Sequence, residues 1–140
     1  MKKYYKIIIG VSILLIAGFI LMPESEEKPE PVAVVSASTD TERINYFALH
    51  GWKAEELFSK DITVPSEFSE SYELFAQIQD KQKLPLRNYK GKDAVLYTYR
   101  ITNYSPEDRN LLAELIVCDN IAVSSIIYSE DDSDYILSVQ

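Results

Sequence analysis

The spacing of apolar residues changes along this chain from an uninterrupted run, through a helical period, to alternation. Residues 7–22 are sixteen uncharged and mostly apolar positions. Apolar residues then recur every three or four positions within 40–82, which predicts helices, and alternate with their neighbours after residue 95, which predicts strands. Helices followed by an antiparallel β-meander predict an α+β fold in two layers, with two helices packed on one face of the sheet.

The first predicted helix runs from about residue 40 to residue 50. Thr39 and Glu42 have the spacing of a capping box, in which each side chain binds the other residue's backbone N–H group. Gly51 supplies the left-handed conformation that commonly follows a helix. In the extended stretch after it, a clear strand signal covers only residues 61–64.

The second predicted helix begins after Ser66, a suitable N-cap, and ends near Gln82. The Leu84-Pro85 step sets that end, because the residue before proline disfavours helical geometry. The stripe that recurs with the helical period consists of Phe68, Tyr72, Phe75 and Gln79, widened by Leu74 and Ile78.

The rest of the chain predicts strands joined by short connections. Asp119 and Asn120 form a two-residue turn of the kind that tolerates positive φ, so the strands on either side should form a tight hairpin. An acidic loop, residues 129–134, precedes the last strand. The predicted strands cover residues 95–101, 111–117, 121–128 and 135–139.

The first 22 residues predict a membrane address. Lys2, Lys3 and Lys6 precede the apolar run, and such positive flanks stay on the cytoplasmic side. As a helix, residues 4–22 span roughly 28 Å, close to the hydrocarbon thickness of a bilayer. Pro23 and several glutamates follow at once, without the small-x-small site of a cleaved signal. We therefore expect an uncleaved, single-pass signal anchor; a cleaved signal is the alternative.

The chain divides into three predicted parts. Residues 1–22 are the signal anchor, which contacts the membrane. Residues 23–38 contain three prolines and four glutamates without an amphipathic period, which predicts an extended linker. Residues 39–140 form the extracytoplasmic α+β domain, and about 100 residues are enough to bury one core.

The charge of the chain excludes one class of partner. Its net charge is −8, and the part beyond residue 22 holds eleven basic and 22 acidic residues, a net charge of −11. Nucleic acid is not an expected partner, because binding to phosphates depends on clustered lysine and arginine. The expected place of the domain is the outer side of the cell membrane.

Few residues offer catalytic or metal-binding chemistry. His50 is the only histidine and lies at the end of a predicted helix, where histidine more often caps carbonyl groups. Cys118 has no partner for an internal disulfide and is expected to be a structural thiol. The loop at 129–134 lacks the glycine and distal glutamate of an EF-hand, which leaves cation binding there open. We therefore predict no catalytic residue, no metal ligand and no cofactor.

One group of residues predicts a binding surface. Tyr104 lies in a loop, and aromatic residues with a polar group are enriched where proteins bind partners. Several basic residues of this acidic domain are expected to join it in a basic-aromatic patch; purely structural roles are the alternative. The predicted binding residues are Arg87, Lys90, Lys92, Arg100 and Tyr104.

An ordered set of short motifs resembles a known type of protein. The motifs are Gly51-Trp52, Val64-Pro65 with Phe68 and Tyr72, Tyr89-x-Gly91-Lys92, and Tyr97-Thr98-Tyr99-Arg100-x-Thr102-Asn103-Tyr104. Over roughly Thr41 to Tyr128 the chain resembles an uncharacterised domain family of short membrane-anchored proteins from Gram-positive, clostridial-type bacteria. The resemblance implies an α+β fold at the membrane and supplies no catalytic residues. Val123-Ser124-Ser125 departs from the small, glycine-rich step of that family.

These patterns predict a non-enzymatic binding module at the cell envelope. It would engage another envelope protein by its sheet face or by an exposed edge strand. The alternatives are a small exported hydrolase or hydrolase inhibitor, and a structural spacer. A pocket that brings His50 close to Ser or Asp side chains would favour the enzyme. Partner identity and oligomeric state stay open.

Overall fold

The computed structural model describes residues 34–132 and 134–140. The predicted anchor and the first part of the predicted linker lie outside these residues. Among the helices that are described, none is long and apolar enough to cross a membrane. The helices and strands are α1 (Asp40–Leu49), β1 (Ala54–Thr63), α2 (Glu70–Lys81), β2 (Asp93–Ile101), β3 (Leu111–Cys118), β4 (Ile121–Ser129) and β5 (Ile136–Leu137).

The strands form one antiparallel sheet in the order β1-β2-β3-β4-β5, so every strand pairs with its neighbour in sequence. The predicted α+β class, with two helices packed on a β-meander, is confirmed. The predicted tight hairpin between β3 and β4 is also present. Asp119 and Asn120 form its turn with φ values of 52° and 65°, which asparagine and aspartate adopt more readily than most residues.

The start of α1 follows its sequence signal. The Glu42 N–H donates to Thr39 Oγ1 at 3.1 Å, and the Thr39 N–H donates to Glu42 Oε1 at 3.2 Å. These two bonds complete the predicted capping box. The helix ends at Leu49, and Gly51 follows with a φ of 88°.

The start of α2 differs from the prediction. Its N-cap is Ser69, whose Oγ accepts from the Tyr72 N–H at 3.2 Å, rather than Ser66. The reason lies just upstream, where Val64 exchanges backbone hydrogen bonds with Gly91 and Lys92. This pairing keeps the chain extended past Pro65, so the helix begins three residues later. Its end near Gln82 is confirmed.

Two strands differ in length from their predictions. β1 extends over ten residues, because it pairs with β2 along its whole length even though most of its side chains are exposed. β5 has only two residues. The chain leaves the strand there because Val139 N–H donates to Gln82 Oε1 at 2.7 Å instead of pairing with β4.

The folded domain begins before the predicted boundary at residue 39. Ala37 N–H donates to Asn120 O, and Ala122 N–H donates to Val35 O, both at 2.9 Å. Ala37 is fully buried, and Arg43 Nη1 donates to its carbonyl at 3.1 Å. The last residues of the predicted linker therefore belong to the domain, because they pair with the beginning of β4.

Two apolar clusters show that the prediction of both helices on one sheet face is wrong, although the α+β class and the β-meander are as predicted. Tyr46 and Phe47 of α1 pack with one set of alternating β3 residues, Leu111, Ala113, Leu115 and Val117. Phe75 and Ala76 of α2 pack with the intervening residues, Ile116 and Cys118. Because neighbouring side chains of a strand point to opposite faces, the two helices cover opposite faces of β3.

Candidate functional site

The five predicted binding residues do not form one patch. Arg87, Lys90 and Lys92 precede β2, whereas Arg100 and Tyr104 lie at its far end. Lys92 and Arg100 are separated by eight residues of largely extended chain, which corresponds to about 26 Å. The basic-aromatic patch is therefore divided between the two ends of the sheet.

Arg87 and Lys90 secure α2. Arg87 Nε donates to Asp80 Oδ2 at 2.9 Å, and its Nη1 donates to Glu73 Oε2 at 3.0 Å. The bond to Arg87 lowers the pKa of the Glu73 carboxyl group. Lys90 Nζ lies 4.4 Å from the centre of the Phe68 ring. These contacts give both cations a structural role beside the helix.

Tyr104 also contacts its own domain. Its ring packs edge-on against Trp52 at a centroid distance of 5.9 Å, although 48% of the residue is exposed. Trp52 in turn donates from Nε1 to Val139 O at 2.8 Å. Tyr104 therefore covers the junction between α1, β1 and the last residues of the chain.

Arg100 lies on a surface that sequence reasoning did not identify. In the sheet register, Phe58 lies opposite Thr98, which lies opposite Glu114. In the adjacent row, Arg100 lies opposite Leu112, which lies opposite Tyr128. These side chains share the face that α2 covers at its other end. We call this set the open face; it consists of Phe58, Arg100, Leu112, Glu114 and Tyr128.

The apolar residues of the open face stand outside the main core. Phe58 is 57% exposed, and Leu112 and Tyr128 are half-buried. None of the three belongs to the clusters beneath α1 and α2. A group of exposed apolar residues beside polar ones is typical of an interaction surface.

Glu114 is the unusual member of the open face. Its carboxylate is half-buried, yet it forms no hydrogen bond or ion pair with any residue in the described part of the chain. Burial raises the pKa of the Glu114 carboxyl group, and the positive charge of Lys60 acts in the opposite direction. A carboxylate that has lost water without gaining a donor destabilises the free domain.

The only signal for this site in the sequence was the position of Glu114. It is the single charged residue of β3, between Ala113 and Leu115, which are both buried. A polar residue in a strand is usually solvated, so the pattern alone did not distinguish Glu114 from an ordinary exposed position. The register that brings Phe58 and Tyr128 to the same face becomes visible only in the structure.

His50 lines a cleft of about 490 Å³ together with Glu42, Tyr46 and Gln82. Its imidazole packs on the Tyr46 ring at a centroid distance of 5.2 Å. Within the described residues, no hydrogen bond joins this imidazole to a Ser or Asp side chain. The nearby Ser38 and Ser36 hydroxyl groups instead bind Glu42 and lower its pKa to about 2.

Cys118 lines a wider cleft of about 770 Å³ at the end of the sheet, beside Asp61, Asp93 and Asp119. The thiol is buried, and Sγ donates to Asp93 O at 3.3 Å. Burial raises the pKa of Cys118. These contacts are typical of a structural thiol.

The acidic loop after β4 is bound to an arginine. Arg109 Nη1 donates to Asp132 Oδ2 at 3.2 Å, and the Arg109 guanidinium lies 4.6 Å from the centre of the Tyr135 ring. In residues 34–132 and 134–140, no three His, Cys, Asp or Glu side chains are grouped so as to hold a metal ion. Arg109 supplies the positive charge beside Asp132.

Comparisons of the chain with protein-family models, with curated proteins and with solved structures each found no match. The resemblance to a membrane-anchored domain family therefore stays a prediction.

Proposed function

We propose that this chain is a membrane-anchored extracytoplasmic domain that binds another envelope protein through the open face and catalyses no reaction. One observation carries this proposal. An exposed Phe58 and a half-buried Glu114 without an ion-pair partner in the described residues lie on the same sheet surface, outside both apolar clusters. Interfaces typically combine such an apolar centre with a few polar groups.

The face is a better docking surface than the edge of β1. Charged residues mark that edge, including Glu55, Lys60 and Asp61, and the pairing register shifts between Glu56 and Phe58. Charges and bulges at a sheet edge oppose the addition of another strand. Of the two modes predicted from the sequence, we therefore favour the sheet face.

The address of the domain is part of the proposal. The lysine-flanked apolar run at residues 1–22 supports an anchor with the domain outside. The net charge of −11 beyond it supports a domain that stays away from anionic lipid. Protease added to whole cells should remove the domain; a domain that is protected until the cells are lysed would contradict this location.

Binding is tested by proximity labelling from the full-length protein in the cells that produce it. Phe58→Ser should remove at least one specific neighbour, because Phe58 is the most exposed apolar residue of the open face. Ile44→Ser is the matched control, since Ile44 is also an exposed apolar residue but lies on α1. An identical set of neighbours for the wild type and both variants would reject the open face as a docking site.

A hydrolase is the second candidate, because His50 lines a cleft. In that case His50→Ala would abolish a hydrolytic activity of the purified protein. The binding proposal expects no such activity and an unchanged set of neighbours for His50→Ala.

A further inference from the structure

We infer that the occupant of the open face is a helix of a partner protein whose apolar side carries a lysine or arginine, and that this cation pairs with Glu114. The inference rests on the proposed function and names the chemistry of its partner.

The shape of the sheet favours a helix. α2 shares an apolar cluster with Leu96, Ile116 and Cys118, whereas the open face continues on the same side of the sheet over β1 to β4. Three intervals between strands give a width of about 14 Å, and a helix with its side chains is about 10 Å across. A partner helix beside α2 would extend the helical layer on this side of the sheet.

The position of Glu114 argues against an added strand. It lies on β3, two strands inward from the free edge of β1. A strand added at that edge would lie about 14 Å from β3, beyond the reach of a lysine or arginine side chain. A helix lying across the sheet brings its side chains directly over Glu114.

The negative charge of Glu114 requires a basic residue from the partner. Docking removes the water that the half-buried carboxylate still contacts, and a buried carboxylate without a partner is strongly unfavourable. Lys60, the neighbouring cation, forms no ion pair with it within the described residues. Arg100 lies in the adjacent row and also forms no ion pair there. The partner therefore presents its basic residue over Glu114 and away from Arg100.

A second copy of this chain is a poorer occupant. In a two-fold face-to-face dimer, residues at the centre of the patch lie near their own copies. Glu114 lies at such a centre, between Thr98 on β2 and Ile126 on β4. Two half-buried carboxylates in proximity repel each other. Anionic lipid headgroups are disfavoured for the same reason.

The test places a photo-crosslinking amino acid at Phe58 or Tyr128 of the full-length protein in its own cells, with Ile44 as the control position. Crosslinked peptides are identified by mass spectrometry. We expect Phe58 and Tyr128 to capture the same partner segment, with apolar residues at helical spacing and a lysine or arginine among them. Ile44 should not capture it.

Charge variants complete the test. Glu114→Gln should lower the crosslinking yield about tenfold, as loss of a close charge pair at an interface does. Asp61→Asn is the matched control and should leave the yield unchanged, because Asp61 is an exposed acidic residue of β1 that lies opposite Val95, on the other side of the sheet. Replacing the basic residue of the partner by Gln should lower the crosslinking yield by the same factor. Combining this replacement with Glu114→Gln should lower the yield little further.

The outcomes separate the two proposals. A specific partner segment without a lysine or arginine, or one captured equally well by Glu114→Gln, would overturn the inference and leave the binding function intact. Crosslinks only to lipid or to another copy of this chain would also overturn it. If neither Phe58 nor Tyr128 captures a specific segment, both proposals fail. Circular dichroism of each purified variant shows whether it is folded.

Discussion

The side-chain amide of Gln79 makes both hydrogen bonds that a neighbouring strand would make with Ser125. The Ser125 N–H donates to Gln79 Oε1 at 2.8 Å, and Gln79 Nε2 donates to Ser125 O at 2.9 Å. Ser125 lies in the middle of β4, between the part that pairs with residues 35–37 and the part that pairs with β5. A helical side chain thus satisfies the backbone where no strand is present.

Gln79→Ala should lower the free energy of unfolding by about 2–4 kcal/mol. The substitution leaves the buried Ser125 N–H group without an acceptor and removes one of the two donors to the Ser125 carbonyl. Urea denaturation of residues 33–140, which form a compact unit, measures the change. Gln77→Ala is the matched control on the same helix, since Gln77 is only half-buried and forms no such bonds. Equal losses for the two variants would contradict the role of Gln79.

The capping box should make stability depend on pH. The Glu42 pKa is about 2 in the folded protein, against an ordinary value of 4.5, mainly through the Ser38 hydroxyl. Because the pKa of Glu42 is lower in the folded state than in the unfolded state, its charged form stabilises the fold at pH values above about 4.5. This stabilisation is lost as the pH falls towards about 2. Glu42→Gln keeps an acceptor oxygen and removes the charge. It should be less stable than the wild type at about pH 6 and equally stable near pH 2. A constant difference between these pH values would contradict the prediction.

Cys118 should react slowly with thiol reagents in the folded protein. The side chain is buried, and burial raises its pKa, so both access and the thiolate fraction are small. We expect the labelling rate to increase on the order of 100-fold or more when the domain is unfolded in urea. Labelling at the same rate in the folded and unfolded states would show that the thiol is accessible.

Glu114 should be unfavourable for the stability of the free domain. Burial raises the pKa of Glu114, so its charged form destabilises the folded state. Stability is therefore lost as the pH rises from the ordinary pKa of glutamate through the higher pKa of the folded state. Glu114→Gln should therefore be more stable than the wild type at neutral pH, by on the order of 0.5 kcal/mol. The difference should vanish in acid. A variant that is less stable at neutral pH would mean that Glu114 has a stabilising partner within the domain.

Local signals predicted much of the fold. The capping box of α1 and the Asp119-Asn120 turn depend on residues that are close in sequence, and both are present as predicted. The start of α2 was not predictable in this way, because it depends on backbone pairing between Val64 and residues 91–92, far along the chain. The length of β1 was missed because its mostly exposed side chains show no alternation.

The candidate site was less predictable than the fold. Basic and aromatic residues suggested a patch, but Arg87 and Lys90 are held beside α2 and Tyr104 packs on Trp52. Only Arg100 of the five belongs to the open face. Its other members come from three further strands, and their common face follows from pairing registers that no local pattern specifies.

Docking on the open face is tested most directly by labelling cysteines on intact cells with a membrane-impermeant maleimide. Phe58→Cys and Ile44→Cys, each in the full-length protein with Cys118→Ser, are compared with the same variants after purification. We expect both cysteines to be labelled from outside. The ratio of the labelling rate of Phe58→Cys to that of Ile44→Cys should be lower on cells than in the purified protein, because a partner covers the open face on cells. The same ratio of rates in both settings would contradict docking, and no labelling of either cysteine on intact cells would contradict the proposed location.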